Sequence, residues 1–396
     1  MKPSRKTDPS WGSGDAPMNG IIALVKSAIT GEAYTLPADF SIENAAQIAA
    51  YHGVDVLVYY GAICCGIDKA IPQMRRLWNR CCKMLIISEG QIAQLGRLLA
   101  VFEEKGIDAM PLKGSVLKYM YPQPEMRRMG DADVLIRQEQ YPQIKHILKD
   151  LGYTYGNETD HELVWHHKYL RLELHKKMIP SRNKQYYAFL ADGWHLAHLR
   201  QGFSHIYEMS TENMFLHIFT HATKHYKTGG IGIQHLTDIW LYLRRHAGLD
   251  EAYIESALRE MGLWDFYNNI LHTLRVWFED GQADEISESI TEFVFRSGMY
   301  GTRKNKILAE AAQRQKHGKI QWLGKTAFLN LGDMKNRYPS VDKWPVLLPV
   351  MWVVRGFDLL FFHRERISRK LNDIKQTDNG DVDQLDAHWK LVGLQE

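Results

Sequence analysis

Residues 112–136 read LKGSVLKYMYPQPEMRRMGDADVLI, and the parsing of this stretch decides the fold. The closing run, Asp131-Ala132-Asp133-Val134-Leu135-Ile136, begins polar and ends apolar, as a strand entering a core does. Side chains two apart on a strand share a face, so Asp131 and Asp133 point one way and Ala132, Val134 and Ile136 point to the core. The opening run places Lys113-Gly114-Ser115 between a short strand over 108–112 and a helical stretch over 116–121. Strand, small-residue turn, helix and acidic strand thus follow one another within thirty residues, which predicts a mixed α/β unit over residues 106–180.

Outward from that run, residues 170–175 repeat the alternation. Leu170, Leu172 and Leu174 fall on one face, and Arg171, Glu173 and His175 on the other, predicting a half-buried strand. Residues 162–169 (ELVWHHKY) are also strand-like and predict a hairpin with it. If this strand lies beside the Asp strand, Glu173 completes a cluster with Asp131 and Asp133. Paired anions repel, and burying them without a partner costs several kcal/mol by order of magnitude. A divalent cation removes that cost, and Mg²⁺, which takes oxygen ligands from one or two carboxylates plus substrate phosphates, is the natural choice. Gly114 lets backbone approach a phosphate closely, with free N–H groups at the junction, and the Ser115 hydroxyl can donate to it. Arg127 and Arg128 are placed to clamp a triphosphate.

The run resembles the signature of the polymerase-β-type nucleotidyltransferase superfamily, a Gly-Gly or Gly-Ser turn followed by an Asp-x-Asp strand. More narrowly, it is similar to a bacterial family known as uncharacterised nucleotidyltransferases. The matching residues are Lys113-Gly114, Met120-Tyr121-Pro122 (with Met where Leu is usual), Arg127 or Arg128, and Asp131-Ala132-Asp133. Leu172-Glu173-Leu174-His175 matches the strand bearing the superfamily's third acid, and a His-rich helix followed by Asp238 also looks similar. The resemblance implies metal-dependent transfer of a nucleoside monophosphate from an NTP to a hydroxyl-bearing acceptor, with pyrophosphate released. It implies a two-ion Mg²⁺ site on Asp131, Asp133 and Glu173, with Glu173 also helping to deprotonate the acceptor. Lys113, Gly114, Ser115, Arg127, Arg128 and Asp238 would contact the nucleotide. The acceptor is not fixed by the resemblance; a small molecule, sugar or peptide is expected over tRNA. Two alternatives stand beside this reading: a toxin-type nucleotidyltransferase that modifies tRNA or protein, and a non-catalytic nucleotide-binding scaffold.

Bulk properties narrow the classes. The 396 residues suffice for two or three compact units, and 45% hydrophobic content is that of an ordinary globular chain. A net charge of +3 gives no general basic surface for nucleic acid. Arg171, Lys176, Lys177, Arg182 and Lys184 form either a local basic patch or a solvated loop. Cysteines occur as two adjacent pairs, Cys64-Cys65 and Cys81-Cys82, which match no zinc spacing and point to a reducing, cytoplasmic setting. Residues 1–19 are polar and read as a disordered tail with no signal peptide. Residues 344–362 (WPVLLPVMWVVRGFDLLFF) are strongly apolar, yet Arg355 and Asp358 favour a buried or partner-facing helix over a membrane span.

The expected fold class is therefore α+β, a small mixed-sheet core flanked by helical regions over 20–105 and 181–396. In the first flank, Ile71, Met74, Trp78, Cys81, Leu85, Ile92, Leu95, Leu99 and Phe102 predict one long core-facing helix. In the second, His217, His221 and His225 lie four apart on one helix face, a spacing that suits zinc, cleft lining or packing alike. Asp238 either bonds a nucleotide's sugar or base, or pairs with Arg244 or Arg245. The stretch 370–384 reads as a solvated tail.

Overall fold

Two short strands bracket the turn: β1 (Ala109–Pro111) leads into it and β2 (Ala132–Ile136) carries Asp133, with Asp131 one residue ahead. In this computed structural model the described residues are 15–159, 161–179, 184–299, 301–317, 334, 338, 340–341, 344–361 and 378–394. Strands β3 (Thr154–Glu158), β4 (Glu162–His166) and β5 (Arg171–His175) complete a five-stranded sheet of order β1-β2-β5-β4-β3. Only β2 and β5 are parallel; the other pairings are antiparallel. The β4–β5 hairpin forms as the alternation predicts. Parallel pairing sets Asp133 opposite Glu173 and Leu135 opposite His175. That single register brings the acidic residues of two distant segments side by side.

One face of the sheet is sealed by an apolar cluster that includes Ala132, Val134, Ile136, Trp165, Leu172 and Leu174. Helix α6 joins it with Ile144, Ile147 and Leu148, once the N-terminal helices α1 (Asp15–Thr30), α2 (Ile42–His52), α3 (Asp55–Cys64) and α4 (Pro72–Glu104) and the short α5 (Lys113–Leu117) are counted; α6 spans Tyr141–Asp150. Helix α4 adds Leu95, Leu98 and Phe102. The chain then runs through α7 (Lys184–Leu190), a small hairpin of β6 (Ala197–Leu199) and β7 (Tyr207–Met209), and α8 (Thr211–Thr228). Helices α9 (Ile233–Arg245), α10 (Glu251–Glu260), α11 (Trp264–Phe278), α12 (Glu285–Ser297) and α13 (Arg303–His317) follow. A second cluster joins Ile21, Leu24 and Leu57 of the N-terminal helices to Phe266, Ile270 and Trp277 of α11, so the two helical regions share one core.

Several expectations are corrected. Helix α1 starts at Asp15, inside the expected tail; residues 1–14 lie outside the described residues. In α4 the buried line is Met74, Leu77, Cys81, Ser88, Gln91, Gln94, Leu95, Leu98 and Phe102, while Trp78 and Leu85 are 48% and 44% exposed. The line was hidden because three of its members, Ser88, Gln91 and Gln94, are polar. Ser88 Oγ accepts from the buried Lys118 ammonium at 2.6 Å, and Gln91 Nε2 donates to the Met129 carbonyl at 2.9 Å. By length and composition α4 could cross a membrane, but its buried line packs against both clusters. Of the residues read as either a local basic patch or a solvated loop, Arg171 pairs with Glu173 and Asp131, Lys176 pairs with Glu158, and Arg182 lies outside the described residues. Within 344–361, helix α14 (Leu348–Phe361) turns Arg355 inward and exposes Val350, Val353 and Phe357. The expected tail over 370–384 instead enters a helix, α15 (Asn379–Leu391), that buries Val382 and Leu385 against α13; residues 370–377 lie outside the described residues.

Candidate active site

The open face of the sheet meets α8 and α9 across a cleft of about 480 Å³. Its floor is built by β2 and β5: Asp131, Asp133, Glu173 and His175 line it together with Lys113 and Gly114 from the first turn of α5. One ligand atom from each of Asp133, Glu173 and His175 lies within 4.8 Å of the others, all three residues being buried. Asp131, at the mouth of β2, is tied to them through Arg171, which lies 3.5 Å from Asp131 Oδ2 and 2.6 Å from Glu173 Oε1. His175 Nε2 is 2.8 Å from Asp133 Oδ1, and Lys113 Nζ is 3.1 Å from Oδ2. Both Asp133 oxygens are therefore engaged by nitrogen partners.

The electrostatics of the three carboxyls diverge. Burial pushes Asp133 up, but Lys113 and His175 outweigh it and hold that carboxylate well below its usual range. Burial, then the charges of Asp131 and Asp133, push Glu173 up to about 7 despite Arg171. Burial and Asp133 likewise raise Asp131. Crowded carboxyls with a displaced pKa are what a bound divalent cation relieves, since its charge favours their ionised forms. Two carboxylates and an imidazole converging, with a third carboxylate alongside, fit such an ion.

The helical wall is unexpectedly rich in neutral imidazoles. His217, His221 and His225 of α8 and His235 of α9 all line the cleft. Burial leads in lowering each of them: His217 to about 3, His225 to about 2, His235 to about 4, and His221 well below its ordinary value. His221 Nε2 accepts from Lys113 Nζ at 3.0 Å and lies 3.1 Å from His225 Nε2. Of the readings left open for this helix, cleft lining is the arrangement observed. Among the described residues, the one group of three or more His, Cys, Asp or Glu suited to a metal is Asp133, Glu173 and His175, not the histidine row.

Arg127 and Asp238 come together, but with each other. Arg127 Nε and Nη2 each donate to an Asp238 carboxylate oxygen at 2.8 Å, and the Tyr121 hydroxyl adds a third bond at 2.7 Å. Arg127 is 8% exposed and Asp238 4%. Asp238 thus pairs with neither Arg244 nor Arg245, and a fork of this kind leaves Arg127 little capacity for a triphosphate. Arg127 Nη1 also reaches the Gly114 carbonyl at 3.4 Å, so the fork braces the turn against α9. Arg128, by contrast, lines the cleft with its side chain exposed, while its backbone is held by Gln234 through bonds of 3.1 and 3.0 Å. A Cβ on Gly114 would meet Arg127 Nη1 at 3.4 Å and the Asp131 carbonyl at 3.7 Å, both ordinary contact distances. Ser115 does not line the cleft; its hydroxyl is buried without a hydrogen-bond partner among the described residues.

Sequence reasoning missed His175 as a partner of the acids, although it lies on the Glu173 face. It also missed His161, Glu162, Lys224 and Lys306, which line the cleft from segments read only as strand or helix. Nothing local distinguishes those residues from solvated side chains; only their convergence on one cleft does.

The family model described as "Uncharacterised nucleotidyltransferase" matches residues 38–279 of this chain, more than half of it, and takes in the whole sheet together with α8 and α9. The chain belongs to that family. No curated protein and no solved structure matches it.

Proposed function

We propose that this nucleotidyltransferase-family chain transfers a nucleoside monophosphate from an NTP to a hydroxyl group of a small molecule, sugar or peptide, releasing pyrophosphate. The observation that carries the reading is the parallel register that sets Asp133 beside Glu173, with Asp131 and His175 completing the cluster. Asp131, Asp133 and Glu173 would hold Mg²⁺, with His175 at its edge. When bound, the ion supplies charge neutralisation at the transferring phosphate and lowers the pKa of an attacking hydroxyl.

The remaining work falls to the chain's own groups. Lys113 keeps Asp133 ionised and stands ready beside the phosphates, and Gly114 leaves room for them. Arg128 and Lys306, both exposed cations on the cleft, bind the leaving pyrophosphate oxygens. The Arg127–Asp238 fork orients the turn and α9. The acceptor oxygen attacks the α-phosphorus, the bond to the β-phosphate oxygen breaks, and Glu173 receives the hydroxyl proton. With a cation bound, Glu173 would stay ionised and so be able to accept that proton. Four free cysteines accord with a cytoplasmic setting.

The test is to incubate each α-³²P-labelled NTP with Mg²⁺, the protein and a lysate divided into small-molecule, protein and RNA fractions. Label is expected in the small-molecule or protein fraction and absent with Asp133→Ala. Label in RNA would favour a tRNA-directed enzyme, and nucleotide binding without any label would favour a scaffold.

A further inference from the structure

Among the histidines of the cleft one stands apart. His217 is 3% exposed, lines the cleft, and neither Nδ1 nor Nε2 has a hydrogen-bond partner among the described residues. Its neighbours do have partners: His221 bonds Lys113, His225 meets His221, His235 accepts from the Gly232 N–H, and His175 bonds Asp133. A buried imidazole carries one donor and one acceptor, and leaving both unmet is destabilising compared with an apolar side chain of similar shape. On its own face of α8 the ring's neighbour is His221, one turn on, and that contact leaves both His217 nitrogens unbonded among the described residues. The unmet groups therefore await a ligand.

The position says which part of a ligand. The His217 ring lies 6.4 Å from that of His221, which bonds the same Lys113 ammonium that stands 3.1 Å from Asp133 Oδ2, so the ring sits toward the carboxylate end of the cleft. We infer that His217 contacts the bound nucleotide directly, donating from a ring nitrogen to an oxygen of the phosphate that meets Asp133. The inference rests on the nucleotidyl-transfer reading above and adds to it a substrate-contacting residue on the helical wall. Burial and Lys113 keep the ring neutral, so it offers a donor to developing negative charge without competing with the metal for the carboxylates.

The test pairs stability with binding. Full-length wild type, His217→Phe and His217→Gln are compared by thermal melts and by calorimetric titration with Mg²⁺ and each of the four α,β-methylene NTPs. Protein carrying ¹⁵N-labelled histidine reports the His217 ring directly. The expected result is that His217→Phe melts at the same temperature or a few degrees higher, yet binds the preferred analogue at least tenfold more weakly. His217→Gln, which keeps an N–H donor, should stay within threefold, and the wild-type ring resonances should shift on addition of the analogue. A lower melting temperature for His217→Phe with affinity unchanged within twofold would overturn the inference, as would a ring that does not respond while calorimetry shows the analogue bound. If wild type binds none of the four, the nucleotidyl-transfer reading falls and His217 with it.

Discussion

Removing the Arg127 guanidinium strands a carboxylate. Asp238 is 4% exposed and takes two bonds of 2.8 Å from Arg127 and one of 2.7 Å from Tyr121. Arg127→Met keeps most of the side-chain volume but leaves that charge with a single phenolic donor. Breaking a buried pair from one side costs about 3–5 kcal/mol, whereas replacing both partners with apolar groups is often near neutral. Asp238→Leu alone should be similarly costly, and the double variant Arg127→Met/Asp238→Leu should recover most of the loss. A residual of about 1–3 kcal/mol would remain, from the Tyr121 hydroxyl left without its acceptor. At about 2–4 °C per kcal/mol for large domains, the single variants should melt roughly 6–20 °C lower. The assay is a double-mutant cycle by denaturant or thermal unfolding, run beside NTP titrations, and it should give a coupling of about 2 kcal/mol or more. A loss below about 1 kcal/mol for Arg127→Met, combined with a large drop in NTP affinity, would refute the reasoning and return Arg127 to the role of a triphosphate clamp.

Three further outcomes are expected. Because the Glu173 carboxyl sits near 7, protons and metal compete for it below that pH, so Mg²⁺ affinity should rise between pH 6 and 8 and flatten in Glu173→Gln, as calorimetry would register. His217 is held at about 3 in the folded chain against about 6.5 unfolded, so the unfolded state binds the extra proton; its contribution to stability is present above about 6.5 and is lost at up to about 1.4 kcal/mol per pH unit on acidification toward 3, which urea titrations from pH 7 to 5 should register and His217→Phe should weaken. Gln91→Leu leaves the buried Met129 carbonyl, two residues before Asp131, without its donor, at a cost of about 1–3 kcal/mol; a lower melt with markedly weaker Mg²⁺ binding is expected, and unchanged metal affinity would show that this anchor does not position the acids.

What the sequence disclosed follows from the range of each signal. Asp131, Asp133 and Glu173 were legible because strand alternation is local, and the β4–β5 hairpin because its two halves adjoin. The pairing of β2 with β5 is a crossover of some forty residues, and alternation says only that it is possible. Strand β3 escaped notice because Thr154–Glu158 is exposed along its whole length and shows no apolar alternation. The face of α4 was misplaced because Ser88 and Gln91 are buried polar residues whose partners, Lys118 and Met129, lie on other elements. Arg127 and Asp238 were each singled out, but 111 residues separate them, and no local rule pairs them. The histidine row was visible as a spacing; that it faces the carboxylates is a fact of how α8 docks.

The most direct measurement of the central claim compares α-³²P- and γ-³²P-labelled forms of the same NTP, with and without Mg²⁺, in wild type and Asp133→Ala. Metal-dependent transfer of the α label to an acceptor, with the γ label recovered as pyrophosphate and both lost in Asp133→Ala, is the predicted result. Transfer of the γ label, or α transfer that persists without a divalent ion or in Asp133→Ala, would contradict it.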